Sequence, residues 1–377
     1  MCDEFTSKKH FPHRADSSGA QAVKKLRIGH IGWLANDQTE FAETVAWCDA
    51  NPERLGKARE KCPGIATYTD YRELLNHPGL DLVVIATPNW LHCDMACDFL
   101  DRGIHVFLEK PMGINRAEID RLLAAARRSK AQIAVDFEMR ISPFAEKTTG
   151  LIRSGELGEL RRMELVHHRG GWLEEGNGLW RTRPEKSGGL FLMEPIHAID
   201  LFRMVAGEVA AVETISGPNV LGNYGFPDNA CSHLFFEGGV TATLLTSHTL
   251  SAQTGNPEEW TERGHEMRWV FTCSRGTFSV DFLRKKVLVN RYEEYPAGTG
   301  GTRAVFDHVW TFPGEGDAFH HDITAMRQDF IRRCSAGEPL LQEIGDAWRT
   351  HLVCLAAEQS AADGGRRIAL DYSGEEK

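Results

Sequence analysis

The stretch LDLVVIATPNWLHCDMACDFLDRGIHVFLEKP, residues 80–111, decides the fold. Its first nine residues are almost wholly apolar and are closed by Pro88, the composition of a strand buried on both faces. HCDMACDFLDRG (92–103) then reads as a helix stopped by Gly103, and IHVFLEKP (104–111) as a second apolar strand. Two such strands joined through a helix make a βαβ unit, whose strands run parallel.

The same rhythm extends to both sides. KLRIGHIG (25–32) is a short buried strand ending at a glycine, and ETVAWCD (43–49) a second ending at Asp49. PERLGKAREKC (52–62) is helical, TYTDYRELLNHPGLD (67–81) is a turn and short helix, AEIDRLLAAARRSK (117–130) is an amphipathic helix, and QIAVDFEM (132–139) is another strand. Apolar strands alternating with helices predict an α/β Rossmann domain over residues 24–143, with a parallel sheet covered on both faces. After about Arg140 the pattern changes. A helix over 143–158 leads to alternating strands separated by turn signals such as EGG and SRG, with one helix inserted early and two near the end. Residues 144–377 are thus expected to form an α+β domain with a mixed or antiparallel sheet, for substrate and oligomerisation.

Length and composition agree with two cores. The chain has 377 residues, 42% hydrophobic and 25% charged. A net charge of -10 argues against nucleic acid or an anionic membrane as partner. No apolar run approaches the roughly 20 residues of a membrane-spanning helix. Nine scattered cysteines suggest reduced thiols and a cytoplasmic location. Residues 1–23 are polar and aperiodic, and are expected to be a disordered leader.

The first strand should end in a turn that cradles a pyrophosphate at a helix N-terminus. Gly29, Gly32 and Trp33 are the candidates, but a GxGxxG beginning at Gly32 meets Leu34 and Asp37 where glycines belong. Nine residues from Trp33 to Phe41 would span roughly 13 Å as a helix, short of a strand's 17–20 Å. A short helix or extended loop is expected there, with Asp37 adding negative charge near the phosphates. Asp49 can accept hydrogen bonds from adenosine ribose hydroxyls and repel a 2′-phosphate, favouring NAD over NADP. Its alternative role is a helix cap before Pro52.

TPNWLH (87–92) followed by GIHVFLEKP (103–111) resembles the Gfo/Idh/MocA oxidoreductases, and the resemblance runs from Lys24 to the ALDY ending at Tyr372. It implies that Thr87, Pro88 and Asn89, with His92, form the cofactor groove, and that Glu109 and Lys110 sit beside the nicotinamide in a turn like a cis-proline turn. Lys110 would face the substrate hydroxyl, where a desolvated lysine can help accept the proton as hydride leaves. SGGLFLMEPIHAIDLF (187–202) is similar to the family's GGGxLxDxGxHxxD segment. His197 and Asp200 match, but the family aspartate position holds Met193 and a glycine position holds Pro195. Adjacent Glu194 is a candidate replacement, although successive helical residues point about 100° apart.

Further candidates for substrate contact are Arg140, His168, Trp180, Arg181 and Asp200, each with a structural alternative as a strand edge or ion-pair partner. Of His167 and His168, alternation lets only one face the cleft. The favoured reading is an NAD-dependent dehydrogenase of a sugar, cyclitol or related polyol, with Lys110, His197 and Glu194 catalytic. The partners expected are a small carbohydrate and other copies of the chain, in a dimer or tetramer. The alternative is a non-redox or internally redox-neutral carbohydrate lyase, hydrolase or epimerase, with or without a metal ion, with nucleotide binding weakened or lost through the short turn.

Overall fold

The computed structural model describes residues 25–32, 37–170, 180–250, 265–313 and 319–376. Six parallel strands make the first sheet: β1 (Leu26–Ile31), β2 (Ala42–Cys48), β3 (Ala66–Tyr68), β4 (Leu82–Ile85), β5 (His105–Leu108) and β6 (Ile133–Val135). Their order, β3-β2-β1-β4-β5-β6, reverses its winding between β1 and β4, where doubly wound sheets open a ligand crevice. The side chains of β4 are buried on both faces, which is why its sequence shows no alternation.

Helices α1 (Pro52–Lys61), α2 (Tyr71–Leu75), α3 (His92–Asp101) and α4 (Arg116–Arg128) follow in the chain. Asn51, not Asp49, caps α1: its side chain accepts from the Glu53 amide at 2.9 Å, and Pro52 occupies the first turn. Asn115 caps α4 through the Glu118 amide at 3.0 Å, while the Glu118 carboxylate accepts from the Ile114 amide at 2.9 Å.

The second half begins with α5 (Pro143–Arg153) and builds a nine-stranded mixed sheet. Its strands are β7 (Leu160–Gly170), β8 (Val209–Ser216), β9 (Asn229–Phe236), β10 (Thr241–Leu250), β11 (His265–Cys273), β12 (Gly276–Asp281), β13 (Lys286–Glu294), β14 (Thr302–Thr311) and β15 (Ile368–Ala369). The order is β14-β13-β12-β11-β7-β10-β9-β8-β15, with only the β7–β10 pair parallel. Between β7 and β8 come α6 (Pro184–Ser187), α7 (Leu190–Met193) and α8 (Ile196–Ala206), and near the end α9 (Ile323–Ala336) and α10 (Ile344–Ala362).

The last two helices do not stay with the second sheet. Met326, Phe330 and Ile331 of α9 pack on Leu26, Ile28, Leu82, Val84 and Phe107, covering one face of the first sheet. That face lacks a described crossover helix between β1 and β2. Residues 37–41 carry no helix, in keeping with the expectation of a short connection. α10 packs against both α4 and α8, so the two halves share core. No helix among the described residues is long and apolar enough to cross a membrane.

Candidate active site

Gly32 ends β1 with φ +87°, a conformation that costs other residues about 1–3 kcal/mol. A Cβ there would stand 2.2 Å from the Ala86 carbonyl oxygen at the end of β4, so only glycine lets the two strand ends approach. Beside them opens a cleft of about 1000 Å³, at the upper end of ligand pockets. Gly32, Asp49, Thr87 and Pro88 line one wall, and Trp90, Trp180, Arg181 and Lys186 another. Trp90 and Trp180 meet edge to face at 5.5 Å, with Lys186 over the first and Arg181 over the second. Trp180 and Arg181, expected at the substrate, thus stand in the wall of the cofactor cleft.

Asp49 sits at the end of β2, nearly buried, and accepts from the Asn51 amide at 2.8 Å and from Arg54 Nη1 at 3.2 Å. Asn51 takes the capping role, which leaves Asp49 lining the cleft with Arg54 and Lys57 nearby. Gly29 is different from Gly32. It lies inside β1, where a Cβ would meet Leu74 and Leu80 methyls at 3.0 and 3.1 Å, so it packs the core and is not part of the cleft lining. Asp37 is also displaced from the phosphate site: its carboxylate takes two bonds from Arg327, at 2.9 and 3.1 Å, and is buried. Trp33 and Leu34 lie outside the described residues.

The TPNxxH motif works as scaffolding as well as lining. His92 is fully buried, with Nε2 2.8 Å from the Thr87 carbonyl and Nδ1 2.7 Å from that of Pro111. It clamps the ends of β4 and β5 together and is not part of the cleft lining. Asn89 is buried too, donating to the Ser187 carbonyl at 2.8 Å and standing 3.3 Å from Met193 Sδ.

Lys110 lies two residues past β5, joined to Pro111 by a cis peptide bond, and donates from Nζ to the Met193 carbonyl. The residue that replaces the family aspartate therefore meets the lysine through its main chain. Burial pushes the Lys110 amine below its usual range, against the pull of Glu109 and Glu138. Burial likewise pushes His197 down to about 3, so its ring is neutral. His197 Nδ1 lies 3.5 Å from Glu138 Oε2, and the other oxygen of Glu138 meets His321 Nδ1. Burial opposes charge on Glu138, but the two histidines outweigh it and hold the carboxyl at about 2. Glu109 is pushed up to about 7 by burial and by Glu138, and Asp136 rises well above the carboxylate range for the same reasons. Carboxyls whose environments drive them apart are a mark of acid–base sites.

Three expected site residues are engaged elsewhere. Glu194 is paired with Arg169, so its carboxylate is a poor substitute for the lost aspartate. Burial pushes that guanidinium down to about 10. Asp200 is buried and accepts from Arg140 at 2.7 and 2.8 Å, Thr350 at 2.9 Å and Gln342 at 3.2 Å. The Arg140–Asp200 pair ties the strap after β6 to α8 and α10. Of the two histidines on β7, His167 shares the buried face with Met163 and Leu165, while His168 points to the opposite face, away from α8.

Glu138, Asp136 and His321 were not singled out from sequence. The first two carried a signal, since acidic residues at the C-terminal end of an apolar parallel strand stand where ligands bind. His321 carried none, being 183 residues from its partner.

A switch-point cleft, abutted through Asn89 and Met193 by a lysine and two histidines around a carboxylate, defines a dinucleotide-dependent oxidoreductase. Residues 28–137 match the family model of the NAD-binding Rossmann fold of Gfo/Idh/MocA oxidoreductases, and residues 146–279 match a C-terminal domain of the same family. The chain belongs to the Gfo/Idh/MocA family and is an enzyme of the NAD-dependent oxidoreductase class. A protein of Amycolatopsis mediterranei named for the oxidoreductase subunit of UDP-kanosamine synthase is 34% identical over 76% of each chain. scyllo-Inositol 2-dehydrogenase (NAD(+)) of Bacillus subtilis is 26% identical over 69% of this chain and 73% of its own. Levoglucosan dehydrogenase in complex with NADH and L-sorbose shares the fold, with a TM-score of 0.73 and 20% identity over 92% of this chain and 99% of its own.

Proposed function

We propose that the protein oxidises or reduces a secondary alcohol of a sugar, cyclitol or related polyol, with Lys110 and His197 handling the hydroxyl proton. The observation that carries this reading is that Lys110, held on the Met193 carbonyl, and His197, 3.5 Å from Glu138, lie close enough to the same carboxylate for its charge to act on both. NAD, when bound, exchanges hydride with the substrate carbon. The residues do the rest. Gly32, Thr87 and Pro88 shape the groove, Asp49 selects the ribose, and Trp180 and Arg181 close over it. Lys110, its charge disfavoured by burial, is placed to take the proton from a hydroxyl, and neutral His197 beside Glu138 is placed to share it. Relatives named as inositol and levoglucosan dehydrogenases support the polyol class.

Fluorescence titration with NADH and with NADPH, followed by a polyol screen at 340 nm, tests the reading. Saturable NADH binding with net NADH production on one polyol is expected. NADH retained with no net turnover, but with epimerised or eliminated product, would replace it by an internal redox cycle. Lys110→Met should lower kcat about 10²–10⁴-fold while leaving the NADH Kd within about threefold.

The assembly proposed is a dimer or tetramer in the cytoplasm. Phe306 and Val309 of β14 and Leu245 of β10 are exposed large apolar residues on this sheet, which a second copy could cover. Light scattering on the purified protein tests this, and a monomer at micromolar concentration would overturn it.

A further inference from the structure

We propose that Glu138 joins His197 and His321 into one proton-sharing unit, in which His321 returns to water the equivalent of the proton that His197 takes from substrate. The proposal rests on the dehydrogenase reading and supplies what the sequence lacks. Met193 offers no acid where the family aspartate stands, and Glu194 is committed to Arg169.

The geometry is that of one carboxylate between two imidazoles. Glu138 is buried, 1% exposed, and turns a different oxygen to each ring. The rings stand 6.3 Å apart and nearly perpendicular. They are not held equally. His321 Nδ1 is in close contact with Oε1, whereas His197 Nδ1 stands back at 3.5 Å and is a buried nitrogen with no hydrogen-bond partner. Neither Nε2 has a hydrogen-bond partner among the described residues, and neither is among the buried unpartnered atoms. Both therefore face accessible space. The His321 side chain is 38% exposed against 10% for His197, which places the first toward water and the second toward the interior of the site.

Every element around the unit adds a titratable group. β5 brings Glu109 and Lys110, the end of β6 brings Asp136, and β7 brings Arg169, which acts on Lys110. α8 brings His197, and α10 brings His351 across the ring of Phe137. Lys110 opposes protonation of both rings, and Glu109 favours it at His321. One buried carboxylate can neutralise one imidazolium. A second would be an uncompensated charge beside Lys110.

The resting unit therefore carries its positive charge on His321, with His197 neutral and its proton on Nδ1. In alcohol oxidation the C–H bond breaks with hydride passing to the nicotinamide. The O–H bond breaks with its proton passing to His197 Nε2. His197 then becomes the partner of Glu138, and His321 loses its Nε2 proton to water. Glu138 stays ionised throughout and the charge of the trio is unchanged. Reduction runs the same steps backwards.

The test is nitrogen NMR on the full chain with NADH bound, labelled with ¹⁵N in the histidine rings and titrated from pH 4 to 9. Loss of one signal in His197→Gln and another in His321→Gln identifies the two rings. In the intact protein His321 should titrate above the ordinary histidine range, with His197 neutral to below pH 5. In His321→Gln the His197 titration should rise by at least one pH unit, because it becomes the sole imidazole on the carboxylate. Glu138→Gln should bring His321 down by a unit or more, and Glu138→Asp should restore part of that shift. A folded His321→Gln or His321→Asn protein in which the His197 titration does not move would overturn the proposal, since a merely structural His321 predicts that result. With a polyol that turns over, the acid limb of kcat/KM should shift with the NMR titration while KM for NAD holds. If the NMR shift is present and no polyol reacts, the dehydrogenase reading fails and proton sharing stands.

Discussion

An alanine at position 32 would carry its Cβ to 2.2 Å from the Ala86 carbonyl, on a backbone with φ +87°. Backbone strain of about 1–3 kcal/mol is expected before the clash is counted. Gly32→Ala should therefore lower the urea midpoint and abolish measurable NADH binding together. At position 29 an added Cβ meets only leucine methyl ends at 3.0 and 3.1 Å, which can shift by a few tenths of an ångström. Gly29→Ala should cost some stability and leave the NADH Kd within twofold; a tenfold weaker Kd would return Gly29 to the cofactor site. The two glycines look alike in the sequence because their difference lies in what packs against them. The place of Asp49 in the cleft was legible for the opposite reason, since it follows from its position at a strand end. Asp49→Ser should weaken NADH binding about tenfold, or about 1.4 kcal/mol, and strengthen NADPH binding, with Arg54 and Lys57 free to meet a 2′-phosphate. Unchanged preference in paired titrations would show that Asp49 does not read the ribose.

Strands β1, β2, β4, β5 and β6 were legible because they are largely buried and bounded by Gly, Pro or Asp, whereas β3, three half-buried residues, runs into a stretch that reads as a turn. Strand β14 was not legible, since most of its residues are exposed and no face shows a buried stripe. The role of α9 was hidden by distance. Its amphipathic sequence announces a helix, but its partner is the sheet whose first strand lies some 290 residues earlier, and Arg327 pairs with Asp37 across that gap. Among the described residues, the non-helical stretch 37–41 and a distant helix lie on the face that a crossover helix between β1 and β2 would cover. The ion pair holds the loop to the helix, with Asp37 1% and Arg327 10% exposed at the side chain. Arg327→Ala leaves the buried Asp37 carboxylate with His30 Nε2, 3.3 Å away, as its remaining ionisable partner, and should cost about 3–5 kcal/mol in urea unfolding. The double change Arg327→Met with Asp37→Asn removes both charges and should recover more than half of that loss. A single-site cost below about 1 kcal/mol would mean that the loop is held by other contacts. The Lys–Glu–His cluster shows the same limit: Lys110 was legible from its motif, while Glu138 and His321 emerge only when β6 and the start of α9 are brought together.

Across the whole molecule, buried ionisable groups set an unusual dependence of stability on pH. His30, His197 and His351 are kept neutral by burial, their pKa values pushed down to about 4, 3 and 4. The unfolded chain protonates these rings near 6.5, so acidification below that point favours unfolding. Glu109 and Glu358 are shifted the other way, up to about 7 and 8 by burial, and Asp136 also rises. These carboxyls keep protons that the unfolded chain has released above about 4.5, so rising pH favours unfolding until their folded values are passed. Between 4.5 and 6.5 the two sets offset each other. Above 6.5 only the carboxyls act, together with His321, whose raised value is lost in the same direction. Below 4.5 the imidazoles act alone with Glu138, whose stabilising carboxylate disappears as pH falls toward 2. Stability should therefore peak near pH 5–6, and the urea midpoint at 5.5 should exceed those at 4 and at 8. Glu358 supports α7 by accepting from the Phe191 amide at 2.6 Å, a bond that glutamine can keep. Glu358→Gln removes its titration and should flatten the alkaline fall by at most about 3 kcal/mol between pH 5.5 and 8, an upper figure because the side chain borders a surface cleft. A midpoint higher at pH 8 than at 5.5 in the intact protein would show that these carboxyls are ionised in the folded state.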